Sequence, residues 1–172
     1  MKQLLSLMSM LALCCCISCN DEKTAGETNN SEEKTNLEAS RAIGNAFGSG
    51  DVSKIDSLVA EDFIDHTDRG DKKGRDSLKA MIKYVNATNK DMKMETIKEA
   101  ADGDYVFAWL RYKGTTDGSM GMPAGPYDFS AIEVSRYKGG KAVEHWSFMQ
   151  PSDMMKMMPA PAPPMVEKPK VK

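Results

Sequence analysis

The apolar positions of this 172-residue chain change period once, near its middle. From Leu37 onward the spacing is helical. Leu37, Ile43, Ala46 and Phe47 share a face, and Gly48 and Gly50 stop the run. Asp51 then stands as an N-cap before Val52, Ile55, Leu58 and Val59, which predicts a second helix. Phe63–His66 reads as a short extended piece, and Gly70 and Gly74 mark a loop. Asp76 or Ser77 caps a third predicted helix, with Leu78, Met81, Ile82 and Val85 on its buried face. After Asn89 the helical period gives way to alternation. Lys93–Ala100 alternates loosely, and Asp102-Gly103-Asp104 is a turn signal. Tyr105–Thr115 is the clearest strand, rich in aromatic and β-branched residues. Tyr127–Tyr137 and Lys141–Gln150 follow, joined at Gly139-Gly140 by a tight hairpin. Helices followed by antiparallel strands make an α+β fold.

The strand from Tyr105 alternates Phe107, Trp109 and Arg111 with Val106, Ala108, Leu110 and Tyr112. Neither set is polar. Both faces are therefore expected to be covered, one by helices and the other by a cavity or a partner.

The ends of the chain add a location. Lys2 precedes an apolar run, Leu4–Ile17, which is too short to span a bilayer and has the form of a secretory leader. It closes on Cys16-Ile17-Ser18-Cys19, which resembles the bacterial lipobox. Residues 1–18 are then a lipoprotein signal peptide and Cys19 the lipidated residue. Ser18 suits the small position before the cut, whereas Leu13, before Cys14, does not. A lipidated Cys19 anchors the protein to the outer membrane, facing the periplasm or the cell surface. An ordinary secretory leader with clustered cysteines is the alternative. All four cysteines lie in this segment, so the mature domain has no disulfide framework, cysteine metal site or thiol nucleophile.

Residues 19–35 lack an apolar period and read as a flexible tether, and Asp21-Glu22-Lys23 resembles the short acidic signals that carry some lipoproteins to the cell surface. Residues 151–172, rich in Met, Pro and Lys, read as a disordered tail. Within it, Met154–Met158 suits a short frayed helix better than a thioether site for copper(I). One domain remains, residues 36–150. A formal net charge of −2 with no basic cluster excludes a nucleic-acid footprint.

Three segments together resemble a known family. They are Phe63-Ile64-Asp65-His66; Gly114-Thr115 followed by Gly118-Ser119-Met120-Gly121-Met122-Pro123; and Gly140-Lys141-Ala142-Val143-Glu144-His145-Trp146. In this order they resemble the SnoaL-like polyketide cyclases, within the nuclear transport factor 2-like superfamily. The resemblance implies a cone-shaped, curved antiparallel sheet packed against three N-terminal helices, a cystatin-like α+β barrel enclosing a pocket. It also implies ring closure of a polyketide ester by an intramolecular aldol reaction, with an acidic side chain as general acid/base and no metal or cofactor. Dimerisation through the open face of the sheet is implied as well. In the cyclases the acid directly follows the Glu-His-Trp segment. Here Ser147 occupies that place, and a serine hydroxyl is no base near neutral pH without an activator.

Alternation puts Val143, His145, Ser147 and Met149 on one face, and the matching set on the preceding strand is Phe129, Ala131 and Glu133. His66 stands where the family often has a pocket histidine. His66, Glu133 and His145 thus form the candidate acid/base set. Alternatively, His66 bonds a backbone group and His145 packs on Trp109 or Trp146. Trp109, Arg111, Phe129, Ser147 and Met149 are the candidate ligand contacts. Arg111 would clamp a ligand carboxylate or pair with Glu133, and the internal pair is favoured. His66, Asp68 and His145 are too few for a metal site, and no cofactor is expected. The leading expectation is a membrane-anchored domain that binds a small, mostly apolar ligand. The alternatives are a cofactor-free ester cyclase or isomerase, and a dimeric interaction module.

Overall fold

A computed structural model describes the backbone of residues 22–158 and the side chains of residues 30–158. In chain order the elements are α1 (Glu22–Ser49), α2 (Ile55–Leu58), β1 (Val59–His66), β2 (Lys72–Lys73), α3 (Arg75–Thr88), β3 (Asn89–Asp102), β4 (Tyr105–Thr116), β5 (Gly125–Lys138), β6 (Lys141–Met149) and α4 (Pro151–Met157). The strands form one six-stranded sheet in the order β2-β1-β6-β5-β4-β3. All neighbours are antiparallel except β1 and β6, which run parallel. The expected all-antiparallel sheet is therefore mixed. The chain enters the sheet at β1, leaves it through α3, and returns along the far edge, so its last long strand lands beside β1 in the same direction.

The sheet curves around α1 and α3. Two β-bulges in β3 contribute to the bend, one between Lys90 and Lys93 and one between Thr96 and Lys98. The core lies on the concave side. Ala39 and Ala46 of α1 and Leu78 and Ile82 of α3 pack on Val59, Phe63, Val106, Tyr137 and Ala142 of the sheet. Small residues on α1 let the long helix lie close over the strands. The fit is tight at Gly44, where an added Cβ would stand 2.4 Å from the Met94 methyl.

Several boundaries differ from the sequence expectations. Helix α1 begins at Glu22, inside the segment read as a flexible tether. That stretch has no proline and carries several Glu and Lys, good helix formers, so it can continue a helix without an apolar stripe. Docking starts at Glu33, whose carboxylate accepts the Gly103 N–H at 3.0 Å, and continues at the buried Asn36, whose amide donates to the Gly103 carbonyl. The second helix is a single turn, because Val59 is already extended. That β-branched residue is fully buried and pairs with Ala142. Helix α3 is preceded by Gly74 at φ +88°, not by Asp76 or Ser77. The Gly74 N–H donates to the Phe63 carbonyl at 2.7 Å, a turn open to glycine. Part of the tail expected to be disordered is helix α4, which starts on Pro151. Its Asp153 reaches the Ser130 N–H at 3.4 Å and pairs with Lys156 at 2.8 Å. Residues 1–18 with Cys19, and residues 159–172, lie outside the described residues. Among the described residues, no helix is long and apolar enough to cross a membrane.

Candidate active site

Between α1, α3 and the concave face of the sheet lies a cavity of about 390 Å³. Its wall is mostly apolar: Ile43 and Phe47 from α1, Met81 and Val85 from α3, and Ala108 and Leu110 from β4. The first β3 bulge sets one side of it. Asp91 takes φ +53°, and the extra residue reverses the strand's phase, so Asn89, Met92 and Met94 all line the cavity. The glycine-rich connection between β4 and β5 supplies the rim through Met120 and Met122. It is tied down by the Tyr84 hydroxyl, which donates to the Ser119 carbonyl at 3.0 Å, and by the Asp117 N–H on the Thr88 carbonyl.

Three ionisable side chains from three strands meet in this apolar space. The His145 ring on β6 has Nδ1 2.8 Å from Asp65 Oδ1 on β1 and Nε2 3.1 Å from Glu133 Oε2 on β5. The other Glu133 oxygen accepts the Tyr112 hydroxyl at 2.7 Å. Tyr112 belongs to β4, so one hydrogen-bonded chain crosses four strands: Asp65, His145, Glu133, Tyr112. Burial disfavours a charged imidazole. The hydrogen bonds to Asp65 and Glu133 and the charges of those carboxylates together outweigh it, raising His145 from 6.5 to about 9. His145 is thus an imidazolium at neutral pH, donating from both nitrogens. Burial and the neighbouring Glu133 push the Tyr112 hydroxyl well above its usual range, so it stays a donor.

Pairing explains why these groups meet. Asp65 and His145 are direct partners in the parallel β1–β6 pair, and Glu133 is opposite Ser147 in the β5–β6 pair. Ser147 carries no carboxylate, and one stands on its cross-strand neighbour Glu133.

Glu133, His145, Phe129, Ser147 and Met149 all line the cavity, as alternation from the C-terminal strands indicates. Three other expectations are corrected. His66 does not face the cavity. It lies on the outer face, 2.9 Å from Asp71, stacked on Trp146 with ring centroids 4.7 Å apart. Asp65, one residue earlier, takes the inward place. A signal for this existed: Phe63 is a buried apolar residue, and alternation gives Asp65 the same face. Trp109 and Arg111 are likewise outside, Trp109 with 45% of its surface exposed. Arg111 makes two 2.7 Å hydrogen bonds to Asp128, not to Glu133. Neither contacts a ligand in the cavity. Glu133 bonds Tyr112 and His145 in place of an arginine, and Arg136 pairs with Glu144 at 2.6 Å on the outer face. Among the described residues, no group of His, Cys, Asp and Glu is arranged to hold a metal ion.

The long mixed sheet curled over helices, with an acid-base chain at the floor of its cavity, defines a cone of the nuclear transport factor 2-like class. The family model for SnoaL-like polyketide cyclases matches residues 37–158, and the chain belongs to that family. No curated protein sequence matches it significantly. Solved structures share the fold. A SnoaL-like protein from Jannaschia sp. CCS1 superposes with a TM-score of 0.63 at 17% identity, over 75% of this chain and 94% of that one. An LEH-like epoxide hydrolase from M. tuberculosis gives 0.61 at 15% identity, covering 74% and 91%. IdmH from Streptomyces antibioticus, a candidate polyketide cyclase, gives 0.58 at 22% identity, covering 71% and 96%. At these identities the likeness is one of fold, and the chemistry has to be argued from the site.

Proposed function

We propose that the cavity binds a small, mostly apolar ligand and transfers a proton on it, in the manner of a cofactor-independent cyclase or isomerase. The observation that carries this reading is His145 held between Asp65 and Glu133 at 2.8 and 3.1 Å inside an apolar cavity. Burying three ionisable groups is costly, and apolar side chains of similar volume would stabilise the domain as well or better. A pocket that only enclosed an apolar ligand would have no use for them.

The chemistry needs only protons. Glu133 is positioned to take a proton from carbon beside a carbonyl group while His145 gives one to the carbonyl oxygen, which replaces Glu133 as the acceptor of the His145 Nε2–H. The carboxylate becomes an acid, the imidazolium becomes neutral, and the ligand becomes an enol, with no net change of charge. Asp65 holds the His145 ring through Nδ1, and Tyr112 holds the second oxygen of Glu133. Ser147 faces the cavity but is not required for either transfer.

The test incubates the protein with a metabolite extract and follows consumed and formed compounds by mass spectrometry. Conversion that disappears in both Glu133→Gln and His145→Ala is expected. Wild-type protein that retains compounds unchanged, indistinguishably from the variants, would leave binding alone.

Two further features of the working protein are part of this proposal. Phe107, Trp109, Ile132 and Phe148 are all large, exposed and on the outer face, and Trp109, Ile132 and Phe148 stand side by side across three strands. Such a contiguous apolar patch suits a second copy of the chain. The Cys16-Ile17-Ser18-Cys19 segment supports a lipid anchor on Cys19 and a place at the outer membrane.

A further inference from the structure

The ionisable groups of the cavity do not balance. Asp65, Glu133 and His145 line it, and among the described residues no lysine or arginine does. Two carboxyl groups thus share one imidazole, and acidic side chains are in excess along the wall. Arg111 and Arg136 are turned to the outer face, committed to Asp128 and Glu144. Lys72, the cross-strand partner of Asp65, lines an adjoining cavity with it, at the end of the hydrogen-bonded chain away from Glu133 and Tyr112. An anionic ligand seated beside Glu133 would meet no lysine or arginine there, in a space that screens poorly.

The wall beside Glu133 is aromatic. Tyr112 and Phe129 are cross-strand partners, with ring centroids 5.1 Å apart and planes 22° apart. Tyr127, two residues before Phe129 on the same face, is tilted against it at 5.7 Å and 40°. Tyr127 folds across Gly114, where an added Cβ would stand 2.6 Å from its hydroxyl oxygen. The first glycine of the glycine-rich connection thus makes room for this ring. Polarisable thioethers of Met120, Met122 and Met149 complete the surroundings. Aromatic faces, soft sulfur and an unbalanced carboxylate are the chemistry that attracts a poorly hydrated cation.

We propose that the ligand of this cavity carries an alkylammonium group, seated against the Tyr112–Phe129–Tyr127 wall beside Glu133. The inference rests on the reading that the cavity holds a ligand, but not on whether a proton is transferred there. The remainder of the ligand is apolar, matching the Ile43, Phe47 and Leu110 side of the cavity.

Three probes of nearly equal size separate charge from shape: benzyltrimethylammonium, its neutral carbon isostere neopentylbenzene, and phenylacetate. Binding is read by titration calorimetry and by shifts of the Tyr and His ring resonances. The cation is expected to bind at least about tenfold more tightly than the neutral isostere, and the anion not measurably. Glu133→Gln should abolish most of the preference for the cation over neopentylbenzene. Tyr127→Leu, which keeps the charge, should lower cation affinity selectively and serves if the first variant fails to fold. Equal binding of cation and neutral probe, binding of phenylacetate, or binding of none of the three would overturn the proposal. Each of those results is compatible with turnover of a neutral metabolite by the wild-type protein, so the proton-transfer reading stands or falls separately.

Discussion

Raising the pH from 6 to 10 should destabilise this protein in a defined step, because the folded state holds a proton on His145 that the unfolded chain releases. The environment raises this imidazole from 6.5 to about 9. Below pH 6.5 both states bind the proton, and the full stabilisation by Asp65 and Glu133 is present. Between 6.5 and 9 the unfolded chain loses the proton while the folded protein keeps it, so the unfolding free energy falls as pH rises. Above 9 the folded state releases it too, and the contribution is gone. The size of the step is on the order of 3 kcal/mol, from the difference in proton affinity between the two states. Burial raises Tyr112, Tyr127 and Tyr137 as well, but an unfolded tyrosine releases its proton only near pH 10, so their contribution falls above this window. Urea unfolding at half-unit intervals of pH measures the step, and the ring resonances of His145 give the midpoint directly. His145→Gln should remove the step. A wild-type unfolding free energy that stays level from pH 6.5 to 9, or a His145 midpoint near 6.5, would refute the double-carboxylate clamp. A step that persists in His145→Gln would assign the proton to another group.

Three other outcomes follow from the same geometry. Gly114→Ala should cost about 1–3 kcal/mol, since the new methyl meets both the Tyr127 ring and the Lys90 carbonyl, 3.1 Å away; a melting temperature equal to wild type would contradict this. Phe148→Glu, at a site 58% exposed beside Ile132, should turn a sedimenting dimer into a monomer without changing the His145 resonances, whereas a monomeric wild type would end the dimer proposal. Cys19→Ala should lose both a fatty-acid label and the membrane fraction; retention at the membrane would point to a different anchor.

Much of this site could be read along the chain, and the errors have specific causes. His145, Ser147 and Met149 fall on one face because β6 alternates with period 2 beyond its bulge at Val143. Glu133 falls on the inward face of β5 by alternation with Phe129 and Ala131, but its pairing with Ser147 depends on a bulge next to the Gly139-Gly140 hairpin, without which it would stand opposite Trp146. Alternation also sorted β4 correctly into two sets. It could not say which set was inside, because both are apolar. The structure chose Val106, Ala108 and Leu110 for the inside and left Phe107 and Trp109 out. The small and branched set fits beneath a closely packed α1. The β3 bulges were illegible for a related reason: an inserted residue shows in sequence only as imperfect alternation.

By itself, then, the sequence determined the order of the main helices and strands and the two faces of β4, because these depend on neighbours a few residues apart, and its motifs pointed to the family. Its paired glycine blocks also placed the hairpins, since left-handed backbone at Gly118, Gly121, Gly139 and Gly140 is open to glycine. Tertiary structure alone decided that Asp65 meets His145. That choice depends on β1 lying parallel to β6, eighty positions away in the chain. No local pattern encodes such a pairing. It emerges only when the sheet closes over its helices, and with it the clamp on His145 and the unbalanced charge of the cavity.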